Sequence, residues 1–524
     1  MITSLILRQW LTASAALLLG AFLYKRIRLL IQLRHIKGSP LLRVSGIPHI
    51  LAIKHRLPQL VLWSQSEICY LLSGQITVLS PTKLLTSSPD LWARMNTHPG
   101  YTRSAWYYRA LRFDWRTDNI ATQMVTEKHD ARRNQMIRGY SGAENLTLEA
   151  DIEECVVKLL GLVRSKYAGK RNSMDLSQKL LFFSLDVIST IGFGKCFGLL
   201  NADDDPNEYI KSVHEGLDVA NTQLALGTWW INWIPFLAPK SNLDIKTTKG
   251  YYKMSALNAS MVEAREKEFR EQSQLGVVPR ADMLTSFMKN GISGDDLKAE
   301  QVLQIAAGSE TTSAALNGIF LYVLTNPRVY KFLQAEIDEA VASGKAPQAP
   351  ELVKFVQAKE LRYLQAVIKE SMRLHSPLHN PMSRDTPPDG DTVIIDGERV
   401  YLPGGVSIVP SFKGMHRNKS VYGEDVDVFR PERWLEEVDE TKLVAMKAEY
   451  NLIFAGGRWQ CLGKGIAMRE LTVAVFELFR NFDLAIVDPV KPWKDICLVG
   501  THSTSEMWVQ VEERNNRRRE PAHN

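Results

Sequence analysis

Apolar side chains recur at helical spacing along most of the chain, and this pattern predicts a mainly α-helical fold. Two runs with this spacing are Ile152, Val156, Leu159, Val163 and Leu361, Leu364, Ile368. A longer run predicts a helix from Gly294 to Thr325, which ends before Pro327. Ser293 and Asp296 are predicted to form a capping box at the start of that helix.

Strand-like segments are fewer, so we predict only a small β portion. Val393–Ile395 and Glu398–Tyr401 flank Asp396-Gly397, a pair that accepts the positive φ of a tight hairpin turn. Val406–Val409 predicts a further strand. No repeat of about 20 to 50 residues divides the chain, and one large domain is predicted over residues 49–513.

The N-terminus has a long apolar run with a basic flank. Trp10–Tyr24 has no charged residue, and basic side chains follow at positions 25, 26 and 28. A helix of these 15 residues spans about 22 Å, less than a hydrocarbon core of about 30 Å. Residues 1–7 close the gap if Arg8 extends to a headgroup. We predict an uncleaved transmembrane anchor over residues 1–36, whose basic flank places the rest of the chain in the cytoplasm.

A cleaved secretory signal peptide is the alternative to this anchor. The basic cluster of a signal peptide would precede the apolar run, and here it follows; no clear small-x-small cleavage site is present either. Gly38-Ser39-Pro40 and Gly46-Ile47-Pro48 then predict a linker over residues 37–48.

Composition narrows the possible function classes. The net charge of +6, from 64 Lys and Arg against 58 Asp and Glu, is too small to indicate a nucleic-acid-binding protein. Part of that charge lies in a basic C-terminal tail over residues 514–524. The 5 cysteines are odd in number and widely spaced, which fits a reducing compartment better than a disulfide framework.

The segment from Phe454 to Gly463 has the features that a metal-bound thiolate requires. Glycines such as Gly457 and Gly463 allow the backbone to approach a large planar group. Backbone amides beside Cys461 can point at its sulfur and stabilise the thiolate. Ile466–Phe479 predicts a helix whose N-terminus faces that negative charge. A buried structural cysteine in a turn is the alternative.

This segment resembles the haem-binding loop of the cytochrome P450 family. Phe454 lies seven residues before Cys461, Gly457 lies four before it, and Gly463 lies two after it. The resemblance implies the cytochrome P450 fold and haem b as cofactor, with Cys461 as the axial ligand of the iron. The family usually has Arg or His two residues before the cysteine, where this chain has Trp459. Arg458 stands one place earlier, so its contact with a haem propionate is left open.

Two further motifs fall in the order and spacing of the same family. Glu370 and Arg373 form an E-x-x-R segment, whose spacing puts both side chains on one face of a helix. Arg433 belongs to a P-E-R-W segment 28 residues before Cys461. The resemblance implies that these three residues form a buried charge triad with a structural role. Removal of one member is then expected to cost about 3–5 kcal/mol.

Ala306–Thr312, in the predicted long helix, resembles the oxygen-activation motif of the family. Either Ala307 or Gly308 leaves room for O₂, and Thr311 lies one turn further along on the same face. Its hydroxyl is expected to bond to the helix carbonyl one turn back. By the same resemblance, Glu310 and Thr311 deliver the protons that O–O cleavage requires. A helix-packing surface is the alternative.

The family holds its haem propionates with cations. His129 and Arg133 lie four residues apart in a segment that resembles the H-x-x-x-R motif. Arg384 follows Asn380–Ser383, at the position of a second common propionate ligand. The resemblance implies that all three bind propionates, and the alternative is a solvated basic face.

Two aromatic clusters indicate a lipophilic substrate. They are Tyr101, Trp106, Tyr107, Tyr108, Phe113, Trp115 and Trp229, Trp230, Trp233, Phe236. By resemblance the first cluster lies over the haem pocket. The second lies in a lid that can enter the membrane, where Pro235 and Pro239 break any helix. Ordinary core packing is the alternative for part of both clusters.

The resemblance implies a haem-thiolate monooxygenase that inserts one atom of O₂ into a lipophilic small molecule. No strand is followed by G-x-G-x-x-G, so electrons are expected from NADPH through a separate reductase at the endoplasmic reticulum membrane. Gly457–Cys461 and Arg138–Gly142 most resemble membrane-bound fungal members such as pisatin demethylase, many of which act in secondary metabolism. The alternatives are a haem-thiolate isomerase or dehydratase that needs no reductase, and a non-catalytic haem sensor.

Overall fold

The structure of the protein, a computed structural model, describes residues 2–54, 74–112, 117–233, 251–379, 382–435 and 440–514. Within these ranges the α-helices are α1 Ile2–Gln32, α2 Pro40–Val44, α3 Ile47–Lys54, α4 Pro89–Thr97, α5 Ala105–Tyr108, α6 Thr126–Ser141, α7 Leu148–Lys166, α8 Leu176–Phe193, α9 Leu199–Ala202, α10 Tyr209–Leu226, α11 Tyr251–Gln274, α12 Met283–Lys289, α13 Gly294–Leu324, α14 Pro327–Ala342, α15 Phe355–Ala358, α16 Arg362–Leu374, α17 Phe412–Met415, α18 Lys419–Tyr422, α19 Glu440–Asn451 and α20 Lys464–Asn481. The β-strands are β1 Ile76–Ser80, β2 Lys83–Thr86, β3 Thr102–Arg103, β4 Met174–Asp175, β5 Arg384–Asp385, β6 Asp391–Ile395, β7 Glu398–Leu402, β8 Ser407–Pro410, β9 Phe482–Ile486, β10 Lys494–Leu498, β11 Thr501–Ser505 and β12 Trp508–Glu513. The mainly helical class with a small β portion is therefore confirmed.

The predicted helices occur where the apolar spacing put them. The first apolar run lies on α7 with its four side chains buried, and the second lies on α16 and its N-cap. The long helix α13 begins at Gly294 as predicted, but the capping box is wrong, because the Ser293 side chain makes no capping hydrogen bond. The Gly294 N–H instead donates to Glu266 Oε1 on α11 at 2.7 Å, a partner distant in sequence.

The largest sheet has five strands in the order β1-β2-β8-β5-β3. Its strand β8 confirms the strand predicted over Val406–Val409. It pairs in parallel with β2 and antiparallel with β5. The predicted hairpin is β6–β7, with φ of 52° at Asp396 and 80° at Gly397 in its turn. The remaining sheets are β4-β12-β9 and the β10–β11 hairpin.

α13 is the central helix of the fold. It packs along α8 and also contacts α16, α20 and β11. Gly308 lies at the crossing with α8, where an added Cβ would lie 2.8 Å from Ile188. Within the described ranges, α8 is the one helix that is long and apolar enough to cross a membrane, and 94% of it is buried inside the fold.

The N-terminal helix α1 runs past the predicted apolar segment and ends at Gln32. Its apolar surface is open, with Trp10 70% and Leu17 75% exposed. The segment predicted as a linker begins α2 at Pro40 and α3 at Ile47. The start of this segment is hydrogen-bonded to the largest sheet, because the Val78 N–H of β1 donates to the Lys37 carbonyl at 3.1 Å.

Candidate functional site

Cys461 lies in a tight loop between two short 3₁₀ turns and α20. Its backbone N–H donates to the Phe454 carbonyl at 2.9 Å, which closes the loop. Gly457 has a φ of +57°, and an added Cβ would lie 2.6 Å from the Asn96 carbonyl oxygen. Only glycine fits that position without strain. α20 begins at Lys464, so the predicted helix after the cysteine is confirmed.

The Cys461 side chain is accessible and is also surrounded by other parts of the chain. Its surface is exposed, yet burial within the surrounding chain raises its pKa. The backbone N–H groups of Gly463 and Lys464 donate to the sulfur, and these bonds and the Arg133 charge oppose that rise. The start of α20 therefore points its free amides at the sulfur, an arrangement that stabilises a thiolate once a positive partner offsets the burial.

One imidazole and two guanidinium groups surround the Trp459 ring beside this loop. The ring centroids of His129 and Trp459 lie 4.5 Å apart. The guanidinium carbons of Arg103 and Arg384 lie 4.4 Å and 5.2 Å from the Trp459 centroid. His129 and Arg384 were predicted by sequence, whereas Arg103 on β3 belongs to no motif and was missed.

His129 pairs with Asp130, at 2.9 Å between Nδ1 and Oδ1, whereas the two buried arginines, Arg103 and Arg384, have no such partner in the described part of the chain. Burial lowers the pKa of Arg103 from 12.5 to about 10, and repulsion from Arg384 and Arg133 adds to the effect. Burial, and then the Arg103 charge, lower the pKa of His129 to about 4. Within the described ranges, no carboxylate forms a salt bridge with Arg103 or Arg384, and the Nε atoms of both have no hydrogen-bond partner. The cluster therefore fits a bound group with two carboxylates, such as haem.

Arg133 and Arg458 lie on the outer side of the same loop. Arg133 Nη1 donates to the Gln460 carbonyl at 2.6 Å and so holds the loop next to α6. The Arg458 side chain is 39% exposed, and its Nη1 lies 3.6 Å from Asp130 Oδ2. Arg458 therefore has a carboxylate partner of its own, unlike the two buried arginines.

The middle of α13 is open on one side. Ala307 is exposed although most of the helix is buried, and the Thr311 hydroxyl donates to the Ala307 carbonyl at 2.8 Å. That hydrogen bond is the one expected from the sequence. Of the two candidate small residues, Gly308 packs against α8, so Ala307 is the one that borders open space.

Glu310 is buried and has an ionisable partner from another helix. His214 Nε2 on α10 lies 3.1 Å from Glu310 Oε1, and Ser503 Oγ on β11 lies 3.4 Å from the same nitrogen. Burial lowers the pKa of His214, but the Glu310 carboxylate outweighs it, so the pKa is raised overall. No motif marked His214 or Ser503, and only the folded chain brings them to Glu310.

The residues predicted as a charge triad lie together in the core. Glu370 Oε1 accepts from Arg373 Nη2 at 2.8 Å and from Arg433 Nε at 2.8 Å. Trp434 Nε1 donates to Glu370 Oε2 at 2.9 Å. The three charged side chains are at most 2% exposed. They join α16 to the segment that leads to the cysteine loop.

The first aromatic cluster joins three elements of the fold. The Tyr107 hydroxyl donates to the Val499 carbonyl at 3.0 Å, and the Val499 N–H donates to Asn221 Oδ1 at 3.1 Å. These bonds link α5, α10 and the tip of the β10–β11 hairpin. Trp230 of the second cluster is 49% exposed. Outside the described residues lie Phe113, Trp115, Pro235, Phe236, Pro239, Asn380, Pro381 and the basic tail from residue 515.

A mainly helical fold, an accessible thiol that two backbone amides reach, and buried arginines beside it without a carboxylate partner in the described ranges are the features of a haem-thiolate oxidoreductase. The chain belongs to the cytochrome P450 family, since the sequence model of that family matches residues 79–507. It is 37% identical over 425 residues to cytochrome P450 monooxygenase ABA1 of Pyricularia oryzae, covering 80% of each chain. It is 30% identical over 446 residues to aba1 of Botryotinia fuckeliana, covering 84% of each. Pisatin demethylase of Fusarium vanettenii is 27% identical over 379 residues, covering 71% of this chain and 70% of its own. The chain is therefore a monooxygenase-type oxidoreductase.

Proposed function

We propose that Cys461 is the axial thiolate ligand of haem b and that the enzyme inserts one atom of O₂ into a lipophilic small molecule. The observation that supports this most is the pair of buried arginines at Trp459, which have no carboxylate partner in the described part of the chain and lie next to a thiol that two backbone amides reach. When bound, the haem supplies the iron at which O₂ is reduced. The remaining roles belong to side chains of the chain.

The side chains around Trp459 hold the haem propionates in this proposal. Arg384 and His129 take this role as the sequence motifs suggest, and Arg133 holds the loop against α6. Arg103 supplies the cation that the usual Arg or His two residues before the cysteine would supply elsewhere in the family. The position of Arg103 supports this role. Trp459 stands where the family usually has that cation, and the Arg103 guanidinium lies over the face of the Trp459 ring. Phe454, Gly457 and Gly463 shape the loop against the haem.

Glu310 and Thr311 deliver protons to the oxygen-binding side of the pocket. The Thr311 hydroxyl lies on the open face of α13, one turn from Ala307. Glu310 is on the same helix and can pass a proton towards Thr311 when it leaves His214. His214 positions the carboxylate between turnovers.

The substrate is an apolar organic molecule that enters from the lipid phase. Tyr107, Val499 and Asn221 form a wall of mostly apolar contact with few polar groups, which suits such a ligand. One relative is named for the demethylation of pisatin, and the other relatives compared are fungal monooxygenases. We infer a role in fungal secondary metabolism on that basis.

The chain is anchored by α1 in the endoplasmic reticulum membrane, with residues 49–513 in the cytoplasm. The exposed apolar side chains of α1 and its basic flank support this topology. Electrons come from NADPH through a separate flavoprotein reductase. Removal of residues 1–36 should release the enzyme from microsomal membranes and leave its haem spectrum unchanged.

Replacement of Cys461 tests the assignment of the ligand. Cys461→His should abolish the red-shifted absorption band of the reduced carbon monoxide complex, while Cys196→Ser should retain it. A retained band in Cys461→His would overturn the proposal.

A second experiment separates the monooxygenase from the alternative functions. Product formation that requires O₂, NADPH and reductase together distinguishes the monooxygenase from an isomerase or dehydratase. Product formation of any kind excludes a haem sensor.

A further inference from the structure

A cluster of imidazoles and one carboxylate lies where the end of α16 meets the β10–β11 hairpin. His502 Nδ1 lies 2.8 Å from Asp495 Oδ2. The ring centroids of His375 and His502 are 4.0 Å apart. One nitrogen or oxygen from each of these three residues falls within 4.8 Å of the others. Neither the proposed haem ligands nor the proton-delivery residues belong to this cluster.

Two atoms of the cluster have no partner in the described part of the chain. His375 is only 9% exposed, and its Nε2 makes no hydrogen bond. Asp495 Oδ1 is also buried without a hydrogen bond. A buried polar atom left unpaired costs about 1–3 kcal/mol, so two such atoms beside each other indicate a partner other than the protein. In the tautomer with the proton on Nδ1, His375 Nε2 offers a lone pair as Asp495 Oδ1 does, and a cation can then accept both.

The backbone fixes the positions of the cluster. His375 caps the C-terminus of α16, and its ring packs against Gly318 of α13, where an added Cβ would lie 3.0 Å from the ring. The His502 N–H donates to the Pro377 carbonyl at 3.2 Å. The His379 N–H donates to the Gly500 carbonyl at 2.8 Å. The donor atoms are therefore held by rigid elements, as a metal site requires.

We propose that His375, His502 and Asp495 bind one divalent transition-metal ion, for which Zn²⁺ is the best match. Two imidazoles and one carboxylate are a common ligand set for zinc, whereas Mg²⁺ and Ca²⁺ prefer oxygen ligands alone. The carboxylate offsets part of the charge of the cation.

Nearby groups are compatible with a bound cation. Arg417 is the closest cation that acts on His375, and its Nε already pairs with Asp427 Oδ1 at 2.8 Å. Cys497 lies directly opposite His502 in the hairpin register, on the same face. The Asp495 side chain keeps 16% of its surface exposed, which provides a route for the ion.

The ion would tie the hairpin to α16. The tip of that hairpin is Val499, which contacts Tyr107 and Asn221 in the proposed pocket wall. Zinc therefore stabilises a wall of the substrate pocket without touching the substrate. This role does not depend on the reaction proposed for the haem site.

The test uses the full-length enzyme with its haem, treated with a chelator and then dialysed. Zn²⁺ is titrated in competition with a chromophoric indicator, and metal content is measured by mass spectrometry. We expect one zinc per chain and a higher melting temperature with ZnCl₂. Asp495→Asn and His502→Gln should each weaken zinc binding more than about tenfold. His35→Gln, which changes an exposed histidine, should leave it unchanged.

Two outcomes overturn the proposal. One is wild-type enzyme that fails to take up zinc in the competition, and the other is equal binding by wild type and both site variants, which would indicate surface binding only. If the site variants lose haem, X-ray absorption spectroscopy at the zinc edge of the wild-type enzyme identifies the ligands instead. A spectrum with two imidazole ligands supports the site, and one with fewer overturns it.

Discussion

His214 Nε2 lies 3.1 Å from Glu310 Oε1, so a residue of α10 holds the carboxylate at the centre of α13. Ser503 approaches the same nitrogen from β11, which makes His214 the meeting point of three elements. In the proposed proton delivery, His214 keeps the Glu310 carboxylate in place between turnovers. Loss of the bond to His214 removes that positioning.

Replacement of His214 should change how efficiently NADPH is used. The pKa of His214 is raised by Glu310, so the ion pair is complete below the ordinary value of 6.5 and is lost as the pH rises through the raised value. Product formed per NADPH consumed should therefore fall with rising pH in the wild type. His214→Phe should give a lower ratio that no longer depends on pH in this window. An unchanged pH profile in His214→Phe would exclude this role for His214.

The proposed proton delivery predicts the behaviour of Glu310→Gln and Thr311→Ala. Each should lower product formation about a hundredfold, since positioned acids contribute at least that much. Hydrogen peroxide release should rise, and the spectral shift on substrate binding should stay the same. Thr325→Ala is the matched control, because the Thr325 hydroxyl also bonds to a carbonyl one turn back, at 2.7 Å on the same helix. Wild-type rates in Thr311→Ala would contradict the proposal.

Loss of one buried charge should destabilise the fold strongly. Arg433→Leu removes one of the two guanidinium groups that bind the Glu370 carboxylate at 0% exposure, and we expect a loss of about 3–5 kcal/mol in unfolding free energy. The measurements are chemical denaturation and the yield of haem-loaded protein. Arg328→Ala breaks a pair with Glu432 whose arginine is 55% exposed, so its cost should stay below about 1 kcal/mol. Equal losses of unfolding free energy in the two variants would contradict this prediction.

Glu449 predicts a dependence of stability on pH. Burial raises its pKa from 4.5 to about 8, and Asp90 adds to the rise. At a pH between these two pKa values, Glu449 is ionised in the unfolded chain and protonated in the folded chain. The contribution of Glu449 to the free energy of unfolding therefore falls as the pH rises. Glu449→Gln should become more stable relative to wild type from about pH 5 to about pH 8. Glu440→Gln, an exposed change on the same helix, should show no such trend.

The cysteine loop should tolerate a methyl group at one glycine and not at its neighbour. Gly457→Ala places a Cβ 2.6 Å from the Asn96 carbonyl at positive φ, which should cost about 1–3 kcal/mol and reduce haem retention. At Gly456 the nearest atom would be 3.8 Å away, so Gly456→Ala should retain haem. Haem loss during gel filtration measures both. Equal retention would show that the loop adjusts.

The sequence was most informative where the residues of a feature are close together in the chain. The loop from Phe454 to Gly463 and the Thr311 hydrogen bond depend on spacing within one or two turns, so they could be predicted. His214 is 96 residues from Glu310, and Arg103 reaches Trp459 from another sheet strand. Such contacts depend on how elements pack. The capping of α13 by Glu266 was missed for the same reason, because a local Ser293 was the nearest candidate.

The two small residues in the middle of α13 are constrained for different reasons. Gly308 meets Ile188 across the crossing with α8, so a larger residue there would push two core helices apart. Ala307, one residue earlier, borders open space. A larger residue at 307 would take up the space proposed for O₂ while the scaffold stays intact. Evolution at position 308 is therefore limited by folding and at position 307 by the reaction, although the two residues are neighbours in the chain.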